Sequence, residues 1–287
     1  MTSEASASSE PRVDLHVHTT ASDGWLSPSD VVRRALALGL AAIAITDHDS
    51  VQGIPEALEA AKGTGLEVVP GVELSTDVSR TEVHILGYYV SCEDPALNEN
   101  LLLMRESRLV RAQRMTEKLS RMGLPVDWDR VQELASGASV GRPHVARAML
   151  EKGYVSSVAG AFDQYIGTNR PAYVERYKVS PVEAIRLVLA SQGLPVLAHP
   201  LSISNLVPEL ASQGLVGLEA YYPGYAAEET HFLLDLASRY GLVATGGSDF
   251  HGDARQLGNE MGCVNVPLEV LEHLRARRVS AGVQSRA

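Results

Sequence analysis

At 287 residues, with 45% hydrophobic and 21% charged side chains, the chain has the composition of a soluble globular protein able to bury a large core as one unit. Its net charge of -10 argues against a broad nucleic-acid face, and so against a DNA duplex, and against an anionic membrane surface as the main partner. The longest nearly apolar stretch, Ala35 to Ile45, is far below the ~20 residues of a membrane span; two cysteines, Cys92 and Cys263, make no disulfide framework, so the expected setting is a reducing cytoplasm.

Residues 1–12, MTSEASASSEPR, are small and polar and lack an apolar stretch; they are expected to form a disordered leader rather than a signal peptide. From Val13 to Val90 strand and helix signals alternate. VDLHVHT and AAIAITDHD bracket a helix with Ser27 as cap, Pro28 in its first turn and Gly39 at its stop. A second helix, from about Ser50 to Lys62, leads to EVVPGVELS, and EVHILGYYV follows a short polar turn. Residues 94–191 then read as a helical insertion: one long amphipathic helix ending at Gly123, followed by GRPHVARAMLEKG and VSSVAGAFDQYIG. The alternation resumes with LPVLAHP, a helix near Val207–Ser212, VGLEAYY, a helix over Ala226–Arg239, and LVATGGSDF.

Seven strands separated by helices predict a mostly parallel sheet buried on both faces. Six of the nine histidines fall in polar clusters at the ends of these strands. A flat doubly wound sheet gathers ligands at one switch point, whereas a closed barrel brings every strand end to one mouth. The expected fold is therefore α/β, a distorted seven-stranded (β/α)7 TIM-like barrel over 13–93 and 192–287, its mouth covered by the helical insertion.

The clusters carry the chemistry. His16 and His18 lie two apart on a strand and project to one side, with Asp23 just downstream. His48 stands between Asp47 and Asp49, carboxylates expected to fix its tautomer. Glu73 ends an apolar strand, where it either bridges metal ions or pairs with an arginine. His84, His199, Asp249 and His251 complete the set. Imidazole with carboxylate is the donor mix of divalent transition metals, and nine such groups exceed one tetrahedral ion. A multinuclear site follows, with a hydrolase as its natural use. Three divalent ions against Asp23, Glu73 and Asp249 leave roughly +3 in the pocket, which attracts anions within an acidic protein. A metal-bridging water has a lowered pKa and becomes an attacking hydroxide near neutral pH.

This pattern resembles the PHP (polymerase and histidinol phosphatase) family of metal-dependent phosphoesterases over about 13–90 and 192–262. The resemblance implies a distorted seven-stranded barrel and a trinuclear site, in which manganese, iron or zinc suits the donors and manganese is the first choice. One ion would be held by His16, His18, Glu73 and Asp249, a second by Glu73, His84 and His199, and a third by Asp23, His48 and His251. Glu73, Asp249 and His199 surround the hydroxide as the catalytic residues.

Gly141-Arg142-Pro143-His144 and AFDQYIGTNRPAYVERYKVS look like the branch of nucleoside 3′,5′-bisphosphate phosphatases and 5′→3′ oligoribonucleotide exonucleases. That resemblance makes Arg142, His144 and Lys178 candidates for a second substrate phosphate, Arg142 through a bidentate pair; capping of the next helix is the competing role of Arg142 and His144. The expected partner is a small phosphorylated nucleotide or short RNA. Histidinol phosphate is the alternative substrate and a non-enzymatic metal-stabilised scaffold the alternative class. Arg105, Arg108, Arg111 and Arg114 read as a solvated helix face or an oligonucleotide track, and Tyr173, Tyr221 and Tyr222 as base-stacking or buried rim residues. His231 and His273, lying within helices, are ordinary.

Overall fold

The computed structural model describes residues 12–280 apart from 79–80, 136–138, 176–178 and 253–258. The elements in chain order are β1 (Arg12–Val17), α1 (Pro28–Ala37), β2 (Leu40–Ile45), α2 (Ile54–Ala61), β3 (Glu67–Val78), β4 (Thr81–Tyr88) and α3 (Pro95–Arg121). There follow α4 (Trp128–Ala135), α5 (Arg142–Glu151), α6 (Val158–Ala161), α7 (Pro181–Ala190), β5 (Leu194–Leu197) and α8 (Val207–Ser212). The last described elements are β6 (Gly217–Tyr221), α9 (Ala227–Tyr240), β7 (Val243–Gly246) and α10 (Glu269–Ser280).

Local chemistry sets the helix starts. Ser27 accepts the Asp30 N–H and Asp94 the Leu97 N–H, each just before a proline that needs no hydrogen bond at that position. Ser180 and Glu183 cap α7 reciprocally.

All seven strands join one sheet in the order β1 to β7. The fold is α/β, but the sheet is mixed. β3 and β4 form a hairpin, and β4 also runs antiparallel to β5, while the other four pairings are parallel. The reversal has a simple cause: only two residues separate β3 from β4, and a parallel partner would need a crossover of a dozen residues or more. Among the described residues β1 and β7 share no ladder. Isolated contacts link β1 to the chain beyond β7, where Val17 bridges Phe250 and the His18 N–H donates to the Phe250 carbonyl at 2.9 Å. Gly247 permits this approach, since a Cβ there would lie 2.3 Å from the His16 nitrogen.

Strand alternation sorts side chains to two faces. Ile43, Ile45, Val72, Leu74, Val83, Ile85, Leu218 and Ala220 pack against the surrounding helices. Ala42, Ala44, Val69, Leu86, Tyr88, Val196 and Ala198 fill the other face together with Val270, Leu271 and Leu274 of α10. Glu73 shares the face of Val69, and His84 that of Leu86, which places the site above this second cluster.

A third cluster, from Ala112 to Ala172, lies wholly within the intervening helices. It is shorter than the 94–191 segment expected from sequence. Leu97, Leu101 and Met104 at the start of α3, and Ala184, Ile185 and Val188 of α7, belong to the sheet's core. VSSVAGAFDQYIG forms one short helical turn and then a π-helical turn at Phe162–Ile166 instead of a regular helix.

Candidate metal centre

Six imidazoles and three carboxylates carried on or just after β1, β2, β3, β4, β5 and β7 meet at one place, Glu73 from the middle of its strand rather than the end expected from sequence. Glu73 is at the middle: one oxygen lies 3.4 Å from His16 Nε2, 3.3 Å from His18 Nε2 and 3.0 Å from His48 Nδ1, the other 2.8 Å from His84 Nδ1 and 3.5 Å from His199 Nε2. Asp249 Oδ1 approaches His16 and His18 Nε2 at 3.4 and 3.2 Å. Asp23 faces His251 Nε2 at 3.3 Å and His48 Nε2 at 3.9 Å. Three overlapping donor groups result: His18, Asp23, His48 and His251; His16, His18 and Asp249; His48, Glu73 and His84. In each, the donor atoms lie within 4.8 Å of one another.

A metal fits this arrangement for a reason visible in the protein itself. His16 Nε2, both ring nitrogens of His18, His48 Nδ1 and one Glu73 oxygen are buried and make no hydrogen bond. Buried polar atoms are ordinarily satisfied, and five clustered exceptions, among which each imidazole can offer one lone pair, match the donor chemistry of a divalent ion.

The backbone around the centre is held in unusual conformations. Asp49, His199 and Asp249 have φ of 51°, 31° and 51°, values that non-glycine residues rarely adopt. A parallel bridge ties His48 to Glu73, and the Asp49 N–H donates to the Glu73 carbonyl at 2.9 Å. Such strain persists only where neighbours over-determine it.

The charges are mutually supporting. Burial pushes the Glu73, Asp23 and Asp249 carboxyls up, but the imidazoles beside them outweigh it and hold all three well below the ordinary range. His18 shows the complement: burial lowers it, yet Asp249 and Glu73 raise it to about 10.

Beside Asp23, Asp249 and His251 opens a cavity of about 740 Å³, lined further by Trp25, Arg147, Ser157 and Phe162. The Arg147 guanidinium lies over the Trp25 ring at 4.3 Å and donates to the Asp23 carbonyl.

Comparison with known proteins places this arrangement. The PHP domain model matches residues 14–179. The chain belongs to the PHP domain family. It is similar to the 5′-3′ exoribonuclease of Haemophilus influenzae, with 34% identity over 91% of this chain and 98% of that protein. It is also similar to the 3′,5′-nucleoside bisphosphate phosphatase of Chromobacterium violaceum, with 33% identity over 83% of this chain and 87% of the relative. A solved amidohydrolase structure from Chromobacterium violaceum, with bound sulfate and no metal, superposes with TM-score 0.84 at 31% identity, covering 93% of this chain and 96% of that one. The protein is a hydrolase of phosphate esters in a metal-dependent family.

Within this PHP domain, the nine residues expected from sequence as metal donors are brought together, and His84 arrives unexpectedly. It is not at the C-terminal end of its strand but sits opposite Ser75 in the reversed β4, so the earlier part of that strand faces the centre. His18 and His48 each belong to two donor groups, where the family pattern gave each to one ion. Asp47 and Asp49 do not hydrogen-bond the His48 ring as expected. Asp47 accepts from the Thr19 N–H and from the Thr19 and Ser22 hydroxyls, fixing the β1 loop. Asp49 accepts from the Ser75 N–H and pairs with Arg108. A residue's neighbours across strands, not along the chain, set its partners.

Arg142 pairs with Glu82 and lies over the Phe162 ring at 5.1 Å. His144 Nδ1 accepts the Gly141 N–H at 3.0 Å, the capping role, and burial holds its imidazole down at about 4. Lys178 lies outside the described residues. The arginine series of α3 is divided: Arg108 and Arg111 are buried, Arg111 reaching Glu82 and the Val174 carbonyl, Arg105 is half-buried and donates to the Asp49 carbonyl, and only Arg114 of the four is exposed to solvent. Tyr173 lies beneath the Arg111 guanidinium, and Tyr222 donates to Asp249 Oδ2 at 2.7 Å. Sequence reading missed Arg147, Trp25, Glu219 and Asp14, the last accepting from Ser248 and Gly262. The DLHVH run flagged Asp14 weakly; the others carry no local signal.

Proposed function

We propose that this protein removes the 3′-phosphate of nucleoside 3′,5′-bisphosphates and also hydrolyses short RNA from its 5′ end. The observation that carries the reading is the orphaned donor set around Glu73, whose neighbours Asp23, Asp249 and His251 line a cavity together with Arg147 and Trp25. His16, His18, Glu73 and Asp249 hold one divalent ion, Glu73, His84 and His199 a second, and Asp23, His48 and His251 a third, with manganese the first choice and iron or zinc the alternatives. When bound, the ions supply Lewis acidity at the phosphoryl oxygens and an activated water as nucleophile. The strands around them close as a barrel, with the helical segment as cover, and Cys92 and Cys263, thiols rather than a disulfide, fit a cytoplasmic setting.

The chain's own residues complete the chemistry. Asp23, Glu73 and Asp249 orient the imidazoles and offset cationic charge. Arg147 takes the second phosphate by charge-assisted hydrogen bonds, and Trp25 offers an aromatic face to the base. With Asp23 and Asp249 engaged by the ions, Arg147 and the Trp25 ring suit a nucleotide anion better than histidinol phosphate, whose ammonium group calls for a further acidic residue facing the substrate.

The test is phosphate release by manganese-loaded protein offered adenosine 3′,5′-bisphosphate, a short 5′-phosphorylated RNA and histidinol phosphate side by side, with His16→Ala as control. Turnover of the first two, lost in the variant, supports the reading. Preference for histidinol phosphate sinks it, and metal binding without turnover of any of the three leaves the scaffold alternative standing instead.

A further inference from the structure

Glu219, on β6, is fully buried and belongs to none of the three donor groups among the described residues. Its oxygens divide between two donor strands. One lies 3.0 Å from His16 Nδ1, and the other accepts the His199 backbone N–H at 2.8 Å. A buried carboxylate is costly unless its oxygens are satisfied, and here both are taken up by the metal centre.

The consequence for His16 follows from hydrogen-bond chemistry. A carboxylate oxygen accepts and does not donate, so the ring proton of a ligating His16 sits on Nδ1. That leaves the lone pair on Nε2, the atom facing Glu73 and Asp249 at 3.4 Å each. His199 is held in a left-handed conformation with φ 31° and ψ 57°, and the second Glu219 oxygen anchors that residue's N–H.

We propose that Glu219 is a positioning residue of the metal centre, selecting the Nδ1–H tautomer of His16 while pinning the strained His199 backbone. One side chain thereby sets donors from β1 and β5 together. The inference rests on the divalent-metal reading above.

Glu219→Gln tests it with little change of shape. An amide has one oxygen, so it can satisfy one of the two donors, and its NH₂ must face the other. Either His16 changes tautomer or the His199 N–H loses its acceptor. Zinc affinity, measured by chelator competition, is expected to fall about 10–100-fold, and Glu219→Asp, which keeps two acceptor oxygens, should regain part of it. In zinc-loaded wild type, ¹⁵N NMR should show His16 protonated at Nδ1 and coordinating through Nε2, a readout that a merely structural role would not fix.

An affinity of Glu219→Gln within twofold of wild type overturns the proposal. So does a His16 coordinating through Nδ1, a measurement on wild type that decides the matter even where the variant does not fold. Wild type that binds neither zinc nor manganese removes the metal reading, and the proposal with it.

Discussion

The strand-end cluster and the helical segment from Ala112 to Ala172 are built on different principles. In the cluster, each donor follows or lies within a strand whose neighbours are fixed by backbone pairing, so nine residues spread over more than two hundred positions converge without any local cue to each other. In the helical segment and the adjoining part of α3, cationic side chains reach toward the sheet and are held by whichever acceptor they meet: Arg108 by Asp49, Arg111 and Arg142 by Glu82, Arg147 by the Asp23 carbonyl. All four are braced, and of them Arg147 lines the cavity, while Arg142 is drawn aside to Glu82. Pairing geometry positions the reactive groups, and contacts between elements decide which helix cations reach the cavity.

The largest effect should come from the cluster. Glu73→Gln removes the carboxylate shared by five imidazoles and is expected to lower kcat for phosphate release by about 10³-fold or more, since bound ions supply several kcal/mol of charge stabilisation. A reduction under tenfold would detach Glu73 from the chemistry. Next, Arg108→Ala should destabilise the fold by roughly 3–5 kcal/mol in urea unfolding, because it leaves the buried Asp49 without its guanidinium partner. A loss below about 1 kcal/mol would return Arg108 to the class of surface pairs.

The third prediction concerns pH. Folded His144 titrates at about 4 against an ordinary 6.5, its charged form disfavoured by burial. Between those values the unfolded chain takes up a proton that the folded one refuses, so stability is complete above about pH 6.5 and declines as pH falls toward 4, by about 3 kcal/mol over the full window. Denaturation at pH 7 and pH 5 should show a smaller loss for His144→Gln than for wild type; equal losses would exclude His144 as the source. The smallest effect separates two arginines. Arg147→Ala should raise KM for the bisphosphate about 10–100-fold, whereas Arg142→Ala, already engaged by Glu82, should change it less than tenfold. The reverse order would restore Arg142 as the phosphate contact.

Much of the site was legible before the fold. HxH with a downstream Asp states a local geometry, since residues two apart along a strand project together, and the SDFH motif was visible as residue types just after a strand; Glu73 was picked out by its charge in an apolar run, although it lies within β3 and not at its end. The partners of Asp47 and Asp49 were not legible, because flanking His48 in sequence says nothing of Thr19, Ser22, Ser75 or Arg108, which approach from other elements. The reversed β4 lay between these cases: its short connection to β3 was visible, but the alternating pattern around it suggested a parallel strand.

By itself, then, the sequence determined the seven apolar strands, the helices between most of them and the imidazole–carboxylate chemistry at their ends, because periodicity and residue type act over a few neighbouring positions. Only the tertiary structure decided that β4 runs backward, that Glu219 joins His16 to His199, and that Arg147 rather than Arg142 lines the cavity. Those outcomes depend on which surfaces meet across the sheet, and a side chain's partners are chosen by distance in space.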